Sequence, residues 1–235
     1  SGPDQGPGVS GAVTITAYDT TYRGQQLSIG AISGTSASNT VTFRSTSLDS
    51  SKCILQNGSK TGASGDFVIQ LNGCDYVNIV SLGLERTGNN TYSTVVNITN
   101  SSDNCTITNC WIKGRKVPSN SSDGFVYGIG SLIYYTGNGD YTTISNNKMV
   151  YGYNGVYSAT ASSGNKILNN VLDTIGSSGV YMSNQINLNI EGNDFRMGDF
   201  GPSTGHYVSY GIRIEYATNF VFKNNKMNMM AVTGQ

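Results

Sequence analysis

Charge is scarce in this chain. Only 12% of its 235 residues are Asp, Glu, Lys or Arg, against about 25% in an average globular protein. Fourteen basic residues balance fourteen acidic ones, with no block of Lys or Arg, so the electrostatic footprint of a nucleic-acid binder is missing and a neutral partner is expected. Histidine occurs once, at His206, and Cys53, Cys74, Cys105 and Cys110 lack CxxC spacing; no metal set can be assembled, and no metal or cofactor is expected. In an exported protein the four cysteines could pair in any of three ways, and buried free thiols are the alternative. No run approaches the roughly 18 apolar residues of a membrane span, and SGPDQGPG has neither the basic nor the apolar part of a signal peptide. P-loop and EF-hand motifs are absent. So is any sustained period of about 3.6 residues, which excludes long amphipathic helices. Hydrophobic residues make up 37% of the chain, and much of the remainder is Gly, Ser, Thr and Asn, a composition of strands and turns.

What is present is a repeat. NIVSLGL, TITNCWI, TISNNKM, KILNNVL, NIEGNDF and VFKNNKM align on Ile79, Ile107, Ile144, Ile167, Ile190 and Phe222, with steps of 28, 37, 23, 23 and 32 residues. A fixed minimum with variable excess is the mark of a solenoid whose insertions sit on loops. Apolar residues alternate within each unit, so the units are strands, and each has a second strand upstream: FVIQL, TVVNI, SLIYY, GVYSA, GVYMS and GIRIE. Short strands recurring every 23 residues or more predict an all-β, right-handed parallel β-helix of the pectate-lyase-like kind. About six to eight coils are expected, with loop insertions on one side. Residues 1–10 read as an N-terminal extension and 11–235 as a single β-helix domain, part of a longer parent chain with neighbouring domains.

Two adjacent columns follow the anchors. The first reads Ser81, Asn109, Asn146, Asn169, Gly192 and Asn224; the second reads Leu82, Cys110, Asn147, Asn170, Asn193 and Asn225. Strands of neighbouring coils lie about 4.8 Å apart, so stacked amides can hydrogen-bond along the axis. Asn109, Asn146, Asn147, Asn169, Asn170, Asn193, Asn224 and Asn225 are therefore expected to form a structural ladder. Glycosylation at NNTY or NITN is the minor reading.

The segments AVTITAYDTTYRGQQLSIGAISGTSASNTVTFRSTSLDSSKCIL, FVIQLNGCDYVNIVSLGL and VVNITNSSDNCTITNCWIKG resemble the β-helix modules of very large surface proteins that Bacteroidetes-type bacteria export by the type IX route. The resemblance covers about residues 11–114, with ISGTSASNTVTFRS its most specific part, and beyond that the chain continues as generic repeats. It implies a secreted or cell-surface location and leaves activity open. Where that family has Gly-Thr-Tyr before its second strand, this chain has Thr20-Thr21-Tyr22. Asp19-Thr20-Thr21 and Asp173-Thr174-Ile175 also resemble the short O-glycosylation motif of such bacteria.

Insertions fall at 85–93, 113–130 and 196–210, always between an anchor strand and the next upstream strand. They are expected to form a wall carrying Arg86, Tyr92, Lys113, Arg115, Lys116, Asp123, Tyr127, Asp199, His206, Tyr207 and Tyr210. Beside it, with Val156, Val180 and Ile212 inward, alternation turns Tyr157, Tyr181 and Arg213 outward, and the same register adds Tyr134, Asn97 and Gln70. Tyrosine offers a flat face to sugar C–H groups and a hydroxyl to sugar oxygens. Tyr134, Tyr157, Tyr181, Arg213, Tyr207 and Tyr210 are therefore the candidate ligand-binding residues. Outward tyrosines also follow from β-propensity alone.

Converging carboxylates for glycoside hydrolysis are not evident: Glu215 stands alone beside Arg213. A lyase needs a base and a cation, and Arg213, Tyr181, Lys116 and His206 are the candidates for those roles. KGRK at 113–116 reads as a solvated basic turn able to meet an acidic glycan. A Thr-x-Thr ladder of the ice-binding kind does not recur from coil to coil. The sequence therefore points to a non-catalytic adhesin or rigid stalk, with polysaccharide or another glycan as partner. A polysaccharide lyase or glycoside hydrolase acting in the same groove is the alternative, and a spacer without ligand a third.

Overall fold

A computed structural model of the chain describes residues 8–58, 66–87, 94–115, 130–198 and 210–229. Among these residues there is no helix, and every named strand pairing is parallel. The first face is an eight-stranded sheet from Val13–Ala17 to Val221–Lys223. Its inward column runs in register through Ile15, Phe43, Ile79, Ile107, Ile144, Ile167, Ile190 and Phe222. The six anchors thus extend by two more coils towards the N-terminus. Their signal was the alternation in VTITA and VTFRS.

After a corner, each coil enters a second face, where Tyr22, Leu55, Leu84, Ile112, Met149, Leu172, Phe195 and Met227 stack. A third face carries Ile69, Val96, Ile133, Val156, Val180 and Ile212 in register. In the coils with a 23-residue step, the second and third faces are one strand bent at the corner: Lys148–Ser158 shifts register between Gly152 and Asn154, and Val171–Ser183 between Asp173 and Ile175. Most of these side chains meet in one apolar core. Since one coil has no second layer to cover it, burial comes from the coils above and below. Accordingly Ile15, Phe222 and Met227, in the outermost described coils, are 47%, 45% and 43% exposed, whereas Ile107 and Ile112 are fully covered.

The corner between the first and second faces corrects half of the expected ladder. Asn147, Asn170, Asn193 and Asn225 do form one: the backbone N–H and Nδ2 of Asn147 both donate to Asn170 Oδ1 at 3.0 Å. Asn170 repeats this on Asn193 at 2.9 and 3.0 Å, and Asn193 on Asn225 at 2.9 Å for both bonds. Each remaining Nδ2 hydrogen donates to a carbonyl, of Ile107, Ile144, Ile167 and Ile190 in turn. Asn109, Asn146, Asn169 and Asn224 do not belong to it. Their backbones are left-handed, with φ of 55°, 54°, 54° and 56°, and their side chains lie exposed. Asn is among the few L-residues that tolerate this region, and Gly192 serves in the same column with φ of 70°. Two adjacent Asn columns therefore answer different demands, one for buried amides and one for a turn.

The ladder column begins as Cys53, Leu82 and Cys110 before the amides take over. All four cysteines are buried and free. Outside the first face, the column preceding the anchors reads Thr14, Thr42, Asn78, Thr106 and Thr143 before Lys166. Threonine thus recurs there more than the sequence suggested, broken at Asn78.

Candidate functional site

The outward column of the third face is continuous. Ser28, Gln70, Asn97, Tyr134, Tyr157, Tyr181 and Arg213 stand opposite one another on successive strands. Local sequence explains the alignment of its middle. In GVY at 155–157 and again at 179–181, the valine points inward with no exposure and the tyrosine outward. The glycines are required by close approach: a Cβ on Gly179 would lie 2.5 Å from Gly211 O and 2.4 Å from Phe195 Cδ1, and one on Gly155 would lie 2.4 Å from Gly179 O.

Stacking along the axis decides what the tyrosines present. The rings of Tyr157 and Tyr181 are stacked with centroids 4.7 Å apart and planes 19° from parallel, close to the ~4.8 Å strand spacing. Tyr134 meets Tyr157 edge to face, at 5.6 Å and 69°. The faces of Tyr157 and Tyr181 are therefore engaged with each other, and what remains outward is ring edge and hydroxyl. This corrects the expectation that sugar C–H groups pack on the flats of the rings. Burial pushes all three phenols above their ordinary pKa, so they are neutral hydrogen-bonding groups.

At the C-terminal end of the column Arg213 lies over Tyr181 at 5.2 Å and over Tyr210 at 5.6 Å. Its Nε and Nη2 both donate to Glu215 Oε1, at 2.8 and 2.5 Å, while Tyr181 Oη donates to Glu215 Oε2 at 2.9 Å. These hydrogen bonds, Tyr181 first and Arg213 second, hold the Glu215 carboxyl below its usual range. The cluster satisfies itself and presents one cation already matched by one anion.

Towards the N-terminal end the column opens into a hollow of about 210 Å³ lined by Asp66, Phe67, Gln70, Thr94, Asn97, Tyr134 and Thr136. Sequence reasoning missed it, because its walls come from three different coils. Thr136 Oγ1 donates to Asn97 Oδ1 at 2.8 Å, and Ser28 Oγ to Gln70 Oε1 at 2.9 Å. Of the lining residues, Asp66 faces Arg86 across 3.8 Å with both side chains shut away from solvent, and burial lowers the Arg86 pKa against the opposing pull of Asp66. Arg86 is therefore a buried partner of Asp66 and no part of an exposed wall. Lys113 likewise pairs with Glu85 within the second face and lies 5.5 Å from the centroid of Trp111. Arg115 is 8% exposed.

Of the other candidates, Lys116, His206 and Tyr207 lie outside the described residues, as do Tyr92, Asp123, Tyr127 and Asp199. Tyr181 and Arg213 are brought together, and Tyr210 joins them. Among the described residues no group of three or more His, Cys, Asp or Glu could hold a metal ion, and no helix is long and apolar enough to cross a membrane.

No family model matches the chain, and no curated protein matches it. Among solved structures it is similar to the pectin methylesterase from Aspergillus niger in penultimately deglycosylated form, with a TM-score of 0.53 at 9% identity, covering 95% of this chain and 74% of that one. The deglycosylated form of the same enzyme gives a TM-score of 0.40 at 10% identity over 96% of this chain and 84% of that one, too low to carry an argument. At such identities the likeness concerns fold alone, and together with the all-parallel pairing it makes this chain an all-β, right-handed parallel β-helix solenoid.

Proposed function

We propose that the chain is a non-catalytic β-helix module of a secreted or surface-attached bacterial protein, an adhesin or rigid stalk that binds carbohydrate along the third face. One observation carries the reading: the unbroken outward column from Gln70 through Tyr134, Tyr157 and Tyr181 to Arg213. A rigid line of hydroxyls, amides and ring edges at one strand spacing suits an extended, hydroxyl-rich polymer, because the groups are ordered before the ligand arrives. The fold neighbour is named for an enzyme of pectin, which agrees with a glycan as ligand of this architecture. The resemblance to type IX cargo modules supports export.

The lyase alternative draws less support. Tyr181 would have to act as base, yet its proton is donated to Glu215, and burial followed by that carboxylate raises its pKa. Arg213, the cation such a reaction needs, is held by the same carboxylate.

The test is incubation with neutral and acidic polysaccharides, following retention on the polymer, new reducing ends and ultraviolet absorbance of unsaturated products. Retention without cleavage, lost in a Tyr157→Ala variant, is the expected result. Cleavage would overturn the non-catalytic reading, and no retention at all would leave a spacer without ligand.

A further inference from the structure

Resting on the carbohydrate reading above, we infer that the hollow at Gln70, Asn97, Tyr134 and Thr136 seats a single ring of a neutral polysaccharide, whose chain continues over the tyrosine column. Size comes first. At about 210 Å³ the hollow is smaller than the roughly 300–1,000 Å³ of pockets for drug-sized ligands, and it fits one sugar ring. Its chemistry points the same way. Gln70 and Asn97 are opposite each other on adjacent strands, and each amide is tied at one end by a hydroxyl, Ser28 for Gln70 and Thr136 for Asn97. In both the engaged end is the oxygen, which leaves the amide nitrogen as the donor these lining residues offer a ligand. A sugar hydroxyl accepts as well as donates, so it can take a hydrogen from that nitrogen. Tyr134 adds a protonated phenol, and Phe67 an apolar wall for ring C–H groups.

Charge distinguishes neutral from acidic polymers. A uronate needs a cation whose charge is not already matched. Within the column the cation is Arg213, which is bound to Glu215. In the wall of the hollow, the charge of Asp66 is offset by Arg86.

The experiment is affinity electrophoresis in gels containing soluble xyloglucan, mixed-linkage β-glucan or polygalacturonate, with wild type, Gln70→Ala, Asn97→Ala, the double variant and Tyr157→Ala. Wild type should be retarded by at least one neutral polymer and not by polygalacturonate. Each amide variant should raise the dissociation constant about tenfold, the loss of one hydrogen bond. Circular dichroism confirms that each variant is folded, and Gln70→Glu, Asn97→Asp or Tyr157→Phe, which keep the side-chain size, replaces the alanine variant at its own position where that one is not. Retardation by polygalacturonate as strong as by the neutral polymers would overturn the assignment to a neutral ligand. Amide variants that bind like wild type while Tyr157→Ala loses binding would overturn the hollow as a subsite and leave the wider reading standing. Wild type unretarded in all three gels would sink both.

Discussion

Asn170 Oδ1 accepts two hydrogen bonds from one residue of the preceding coil, from the backbone N–H and from the Nδ2 of Asn147, each at 3.0 Å. The amide is fully covered, so water cannot replace a missing partner. Replacing Asn170 by Ala strands both Asn147 donors, and takes the side-chain donor from the Ile144 carbonyl and from Asn193 Oδ1, which keeps the N–H of residue 170. With about 1–3 kcal/mol for each buried polar group left unpaired, the two stranded donors should cost the variant at least about 2 kcal/mol. Urea denaturation measures it, and a loss below about 1 kcal/mol would show that the ladder is not stabilising.

Its sequence neighbour should behave oppositely. Asn169 is exposed with φ of 54°, so Asn169→Ala should cost about 1 kcal/mol through the left-handed backbone, while Asn169→Gly should cost next to nothing. Equal losses for Ala and Gly in the same denaturation experiment would contradict the turn assignment.

Tyr181 should titrate late. Burial and then the Glu215 carboxylate raise its pKa, so tyrosinate absorbance should show it ionising above the ordinary phenol value. In Glu215→Gln the second cause disappears and the transition should move down in pH. An unchanged titration would mean that Tyr181 and Glu215 are not paired in solution.

A column of carboxylates sets one part of the acid response. Asp75 Oδ1 accepts the N–H of Asp103, Asp103 Oδ1 that of Asp140, and Asp140 Oδ1 that of Ser163. Burial, with the neighbouring Asp140 and Asp75 charges, raises the pKa of Asp103 above its ordinary value, against the lowering effect of the Asp140 N–H. The folded state then holds this proton more tightly than the unfolded chain. The charged form therefore costs stability at neutral pH, and the cost is relieved as pH falls through the raised pKa. Asp103→Asn keeps the acceptor for Asp140 and removes the charge. It should melt at a higher temperature than wild type at pH 7, with the difference closing towards pH 4. A variant that melts lower at pH 7 would refute this account.

Much of the fold was legible in order of residues alone. The alternation around Ile79, Ile107, Ile144, Ile167, Ile190 and Phe222 marks strands that must all face one core, and a minimum step of 23 residues is one turn of the solenoid. The outward register of Tyr157, Tyr181 and Arg213 follows from the same alternation, because a strand has only two sides. The first two coils were harder to see, since the strands at Ile15 and Phe43 carry no Asn at the corner.

Other features waited on the third dimension, for definite reasons. Paired asparagines in a sequence do not say which one is inside, because at a corner the strand period of two gives way to a left-handed turn. A row of tyrosines does not say whether its faces are open, because ring stacking depends on the distance between coils, a property of no single strand. The hollow joins Asp66 to Thr136 across one intervening coil, and variable insertions hide that proximity from any fixed period. Local alternation thus determined that this chain coils and which side chains look outward. Only the stacking of one coil on the next decided which polar groups satisfy each other and which remain for a ligand, because those partners lie a full turn or more apart in the chain.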